Sequence, residues 1–350
     1  MTTINKAFPA EKPYVSVWLP FWSFDRGYGS LLKNLSLIDE VNFFIYSIND
    51  NSDLICNTSK ENIETVQNIT NINNIKLIPT ISGRGNYFNQ CNQENIIKSI
   101  KDVVATYNFP GIDINFETDY GSTPPVEIDK EKFKIFIKKL KKELGADKQI
   151  NITLGSGELK LNKNFFNELE QYVNLFKFMA YDYYGLWGEF GASGDFRLAK
   201  ADMEEAKKLI SAQKLLLGIP AYGRDWGKRY DDTEGSIIYS QIEELFCSKN
   251  NIDSKWEWDE ESKASHFSYI TFEGKQTQVW YEGPKGLYYK LNDIVKPEGL
   301  KGIAIWAIGQ ENPKIWDVIK NSSAEPAILD EQPLCLNLKP DRILLGLNNL

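Results

Sequence analysis

The chain has 350 residues, 42% of them hydrophobic, and a net charge of −8. That is enough apolar material for one large core, and a single α/β barrel of this length is ordinary. The acidic balance and the absence of any basic run speak against nucleic acid and anionic membrane surfaces as partners. No apolar stretch reaches the ~20 residues that span a bilayer.

Residues 1–13 read as an N-terminal extension. They lack both a basic segment and an apolar core, so no secretory signal is visible. A cytosolic protein, export by another route and a mature form without its signal all stay open. From there β-rich runs alternate with helical patterns. Tyr14–Phe21, Glu40–Ser47, Lys76–Ser82, Gly111–Glu117, Gln149–Gly155, Leu175–Asp182, Lys214–Tyr222 and Leu300–Ala307 read as strands. Between most of them lie helical spacings. In Glu127–Leu144, for example, Phe133, Phe136, Ile137 and Leu140 fall on one face. Eight such strands predict an α/β fold, a (β/α)8 TIM barrel over residues 14–320. One connection is too long for a simple crossover. After strand 7 an α+β insertion, about residues 223–283, holds a predicted helix at Tyr239–Phe246 and a hairpin at His266–Phe272 and Gln276–Tyr281. A last helix follows near Lys285–Val295. Residues 321–350 form a C-terminal tail whose Ile343–Leu347 segment is expected to pack back on the barrel.

The fourth strand carries the chemistry. In Gly111-Ile112-Asp113-Ile114-Asn115-Phe116-Glu117, polar groups occupy every second position of an apolar run, and side chains alternate faces along a strand. Burying two carboxylates and a carboxamide costs several kcal/mol unless they are paired or used, an order of magnitude that points to a reacting centre at the barrel mouth. The competing reading is an amphipathic edge strand with one solvated face. Ile112, Ile114 and Phe116 leave no outward polar face, and the strand runs straight into a polar loop at Thr118–Pro125, which favours the barrel. The single histidine, His266, precedes an alternating segment and reads as structural. Cys56, Cys91, Cys247 and Cys335 have no metal-ligand spacing and are too dilute for a disulfide framework. Cys56 and Cys91 fall on the loops after strands 2 and 3, a placement that permits one bridge without requiring it. Carboxylates, amides and phenols are left to do the chemistry, with no metal and no cofactor expected.

At these residues the chain resembles glycoside hydrolase family 18, over roughly Tyr14 to Ile319. The family's fourth-strand signature is Asp-Gly-x-Asp-x-Asp-x-Glu, and residues 110–117 follow it with Pro110 and Asn115 in place of two aspartates. Met179-Ala180-Tyr181-Asp182 is similar to the family's Met-x-Tyr-Asp, and Gly218-Ile219-Pro220-Ala221-Tyr222-Gly223-Arg224 to its Gly-x-Pro-x-Tyr-Gly-Arg. Gly302-Ile303-Ala304-Ile305-Trp306 matches the segment whose tryptophan floors the sugar site, and Trp18 and Trp22 resemble an aromatic pair near strand 1. Val279-Trp280-Tyr281-Glu282 and the small insertion look closer to the bacterial spore-cortex and peptidoglycan branch than to large secreted chitinases.

The resemblance implies a retaining, substrate-assisted glycosidase acting on a glycan that contains β-linked N-acetylglucosamine. The same residues on a weakly active or non-hydrolytic oligosaccharide-binding protein are the alternative. Glu117 would be the general acid, Asn115 would receive the acetamido N–H, Tyr181 would donate to the acetamido oxygen, and Asp113 would support them. Trp306, Asp182, Met179, Tyr222, Arg224, Trp18 and Tyr46 would complete the substrate-binding set, in a monomer. Pro110 stands at a distal support position. Asn115 matters more: an amide accepts an N–H but cannot counter the positive charge of an oxazolinium ring. Losing a charged acceptor costs about 1–2 kcal/mol, and preorganised charge is worth about 10²–10³ in rate. The endo-β-N-acetylglucosaminidases of family 85 use asparagine at the equivalent place.

Overall fold

The structure, a computed structural model, describes residues 12–157, 163–228, 235–248, 255–327, 331–333 and 335. Seven parallel strands come first: β1 (Tyr14–Pro20), β2 (Glu40–Ile48), β3 (Thr80–Arg84), β4 (Gly111–Glu117), β5 (Gln149–Leu154), β6 (Leu175–Phe178) and β7 (Leu215–Pro220). Five short strands of a second sheet follow: β8 (Tyr222–Asp225), β9 (Ser236–Ile238), β10 (Trp256–Asp259), β11 (Ala264–Ile270) and β12 (Gln276–Tyr281). β13 (Gly302–Trp306) returns to the first sheet, whose order β1-β13-β7-β6-β5-β4-β3-β2 closes through the β1–β2 pairing. The result is a closed eight-stranded (β/α)8 barrel with helices between its strands.

The outer core forms because each strand turns its branched residues toward the helices. Ile112, Ile114 and Phe116 of β4 are buried on that side. Phe116 packs against Phe88, Phe133 and Phe136, with ring centroids 4.9, 6.2 and 5.7 Å away. Phe133 and Phe136 come from helix α4 (Lys130–Leu144), numbered after α1 (Phe24–Asn34), α2 (Lys60–Ile72) and α3 (Gln93–Tyr107). This helix begins three residues later than its apolar spacing alone suggests. The reason is its cap: Asp129 accepts the Lys132 amide at 3.0 Å, which satisfies one of the orphan N–H groups at the helix start.

Gly111–Glu117 coincides with its expected span, four other strands shift by one or two residues at one or both ends, and three differ for a structural reason. Lys76–Ser82 is interrupted at Pro79, which has no N–H for a ladder, so Lys76–Leu77 and Thr80–Arg84 pair separately. The sixth strand stops at Phe178, and the chain turns through a left-handed Asp182 (φ 61°). At Tyr222 the chain leaves the barrel and starts the second sheet.

That sheet is antiparallel, in the order β9-β8-β12-β11-β10, and it encloses a small core with helix α7 (Tyr239–Phe246), which follows α5 (Lys163–Glu170) and α6 (Phe196–Leu209). Helix α8 (Pro284–Lys290) runs into a π-turn at Leu291–Val295, and α9 (Ile315–Lys320) closes the barrel. The bridge permitted between Cys56 and Cys91 does not form, and both are free thiols. Instead Cys247, at the end of α7, bonds Cys335 of the tail, 88 residues away. Sequence reasoning compared only the loops after strands 2 and 3 and did not bring the tail to the insertion. Just before the bridge, buried Glu331 accepts hydrogen bonds from Ser265 Oγ (3.0 Å) and from the Lys285 backbone N–H. The expected packing of Ile343–Leu347 lies outside the described residues. Among those residues, no helix is long and apolar enough to cross a membrane.

Candidate active site

Inside the barrel the fourth strand places Asp113, Asn115 and Glu117 in a column that rises from floor to mouth. Asp113 is fully buried. Its Oδ2 accepts Trp18 Nε1 at 3.0 Å and Thr80 Oγ1 at 2.9 Å, and its Oδ1 accepts Lys177 Nζ at 2.9 Å. Asn115, 6% exposed, donates Nδ2 to Glu117 Oε1 at 2.9 Å, while its buried Oδ1 has no hydrogen-bond partner among the described residues. Glu117 is half-buried at the rim. Beside it opens a cavity of about 600 Å³, lined in part by Tyr120, Thr153, Phe165 and Met179.

A second cluster stands on the loop after β6 and on β8. Asp182 Oδ1 receives Arg224 Nη2 at 2.5 Å, Ser193 Oγ at 3.0 Å and the Tyr222 hydroxyl. The ring of buried Tyr181 lies edge-on to Tyr222, centroids 6.3 Å apart. Burial pushes the Tyr181 phenol well above its ordinary value, and the charges of Asp182, Glu117 and Asp113 push the same way, so it stays a protonated donor. Tyr222 is raised for the same first reason, burial, with Asp182 next.

The aromatic wall differs from expectation at two residues. Trp306 and Trp22 do meet at the mouth, centroids 6.2 Å apart, with Trp22 56% exposed. Trp18 does not reach the cleft: it is 1% exposed, edge-on beneath Trp306, and serves Asp113. Tyr46 is turned away altogether. A register shift between Phe44 and Tyr46 sends Tyr46 into the outer layer beside Cys56 and Tyr107, where burial raises its phenol. Phe44 takes the mouth position instead, 5.3 Å from Trp306 and 5.6 Å from Trp22. Sequence reasoning missed Phe44, Lys177 and Ser193. Strict alternation from Asn42 would have flagged Phe44, and a lone lysine in the apolar run Leu175–Phe178 was a visible signal for Lys177. Among the described residues, no group of three His, Cys, Asp or Glu side chains converges as a metal site.

Residues 17–311 match the sequence pattern of Glycosyl hydrolases family 18. The chain belongs to this family. Among its relatives, the cortical fragment-lytic enzyme of Bacillus anthracis is 26% identical over 231 residues, covering 63% of this chain and 52% of that protein. Chitinase A1 of Niallia circulans is 22% identical over 277 residues, covering 65% and 38%. The chain spans about half the length of the first curated relatives it matches, 45% and 52%. The chitinase of Chromobacterium violaceum superposes with a TM-score of 0.74 at 18% identity, over 90% of this chain and 100% of that one. The spore cortex-lytic enzyme SleL of Bacillus cereus gives 0.72 at 19%, over 89% and 75%. At these identities the two structures share the family 18 fold with this chain.

Proposed function

We propose that this family 18 chain is a retaining, substrate-assisted glycosidase that cleaves β-linked N-acetylglucosamine in chitin, peptidoglycan or a related glycan. The observation that carries the reading is Asn115: its amide N–H engages Glu117 at 2.9 Å while its buried oxygen is left without a partner. A buried acceptor without a donor costs about 1–3 kcal/mol, and an incoming acetamido N–H would remove that cost. Tyr181, kept protonated by burial, is a donor suited to the acetamido oxygen.

On this reading Glu117 gives its proton to the glycosidic oxygen as the bond to C1 breaks, and the acetamido oxygen attacks C1 to form a bicyclic oxazolinium. Glu117 then takes a proton from the water that opens the ring, so the β configuration is kept. Trp306, Trp22 and Phe44 offer apolar faces for the sugar rings. One observation favours the slower, lectin-like alternative: Asn115 is neutral and Asp113 below it is ion-paired with Lys177 at 2.9 Å, so no free carboxylate stands at the acetamido-binding position to face the cation. A screen of purified protein against chitooligosaccharides, peptidoglycan and N-glycans tests the proposal, with Glu117→Gln as control. Hydrolysis in at least one arm, lost in the variant while binding persists, is expected. Turnover by Glu117→Gln within tenfold of wild type would remove Glu117 from the role.

A further inference from the structure

Lys177 of β6 has no exposed surface, and burying an ammonium group is tolerated only with close partners. Its Nζ is shared between Asp113 Oδ1 at 2.9 Å, Glu40 Oε1 at 3.0 Å and Asn42 Oδ1, and it lies 5.3 Å from the Trp18 ring centroid. Glu40 is also held by neutral donors: Gln149 Nε2 at 2.8 Å, Asn151 Nδ2 at 3.0 Å, and the hydroxyls of Ser16 and Tyr14, both at 3.1 Å. All four oxygens of the two carboxylates are therefore engaged, with one cation between them.

This floor bears on the column above it. Asn115 lies two residues from Asp113 and two from Glu117 on the same strand face, about 7 Å along the strand in either direction. Two carboxylates thus compete for one amide. Lys177 occupies the Asp113 oxygen that Trp18 and Thr80 leave open, and the amide donates to Glu117 instead. A lysine-free Asp113 would present that oxygen to the amide and draw it toward the floor.

We propose that Lys177 is a positioning residue: by engaging Asp113 at the barrel floor it commits the Asn115 N–H to Glu117 and leaves the Asn115 oxygen as an acceptor for a substrate N–H. The last clause rests on the proposed N-acetylglucosamine reading; the commitment of the amide does not.

The test uses the full chain without ligand. Lys177→Met leaves two buried carboxylates without their cation and risks unfolding, so Glu40→Gln/Lys177→Met is its companion. The pair keeps the net charge of the floor and frees Asp113 as competitor. The Asn115 side-chain amide is assigned in ¹⁵N–¹H spectra by its absence in Asn115→Ala. Wild type should show one downfield, slowly exchanging Nδ2 proton. In whichever of the two variants folds, that proton should move and exchange at least tenfold faster, and the Kd for an N-acetylglucosamine tetramer should rise at least tenfold. An Asn115 amide unchanged in the folded variant overturns the assignment, whatever happens to binding. A wild type that binds no oligomer, but whose amide responds as described, overturns the N-acetylglucosamine reading and leaves the role of Lys177 standing.

Discussion

Asn115 is where a single atom decides the behaviour of the site. Its Nδ2 sits 2.9 Å from Glu117 Oε1, a contact that suits an amide donor and a carboxylate acceptor. In Asn115→Asp the same position would hold a second acceptor at near-contact distance from Glu117 and close above Asp113. Like charges at that spacing raise one pKa of the pair and force a shared proton or a swing apart. The kcat/KM of Asn115→Asp should therefore fall by about tenfold or more, equal to about 1.4 kcal/mol of barrier. A clear gain would mean that the natural residue is a damaged aspartate in a slow hydrolase.

At the scale of elements, the bulge in β2 separates two neighbouring aromatics onto opposite sides of the barrel wall. Phe44 meets Trp306 and Trp22, while Tyr46 is packed against the helix layer. Phe44→Ala should weaken oligosaccharide binding about fivefold or more, the loss of roughly 1 kcal/mol of aromatic contact. Tyr46→Phe should leave it unchanged, since that hydroxyl is on the far side of the wall. Calorimetric titration of both variants with one oligosaccharide checks the pair, and the opposite ranking would contradict the register. This bulge also shows where the sequence stops being legible. Period-two alternation located β4 to the residue and put Asp113, Asn115 and Glu117 on one face, because a strand buried on both sides has no freedom in its register. A one-residue bulge leaves the hydrophobic pattern almost untouched, so Tyr46 and Phe44 could not be told apart. Trp18 was misplaced for a related reason: its side of the wall was evident, but its depth below Trp306 depends on the barrel as a whole. Lys177 finds its partners only when β1, β2, β4 and β6 are in place.

Across the whole molecule, a covalent bridge and the buried, titratable Glu331 both help fasten the tail to the insertion. The Cys247–Cys335 bridge closes a loop of 88 residues, worth about 4.6 kcal/mol in the chain-entropy account. Beside it, burial pushes the Glu331 carboxyl from 4.5 up to about 7, and the charge of Glu282 adds to this against the Lys285 and Gly286 amides and Ser265. Glu282 is itself raised by burial, opposed by Lys290. The unfolded chain releases the Glu331 proton near 4.5 and the folded chain holds it to about 7. This stabilisation is thus complete below 4.5 and is lost as pH rises through that window, about 3 kcal/mol in all. With the bridge reduced, limited proteolysis of the tail should be markedly faster at about pH 8 than at about pH 5. Glu331→Gln should flatten that difference. A pH-independent rate in the reduced wild type would contradict the contact.

On the proposed mechanism C1 is attacked twice, first by the neighbouring acetamide and then by water, so the first product keeps the β configuration. The anomeric configuration of the first product, followed by ¹H NMR in the earliest turnovers on the substrate found by the screen, tests this most directly. The account predicts β product that converts to the α form only by later mutarotation, and no product with Glu117→Gln. First-formed α product would contradict it.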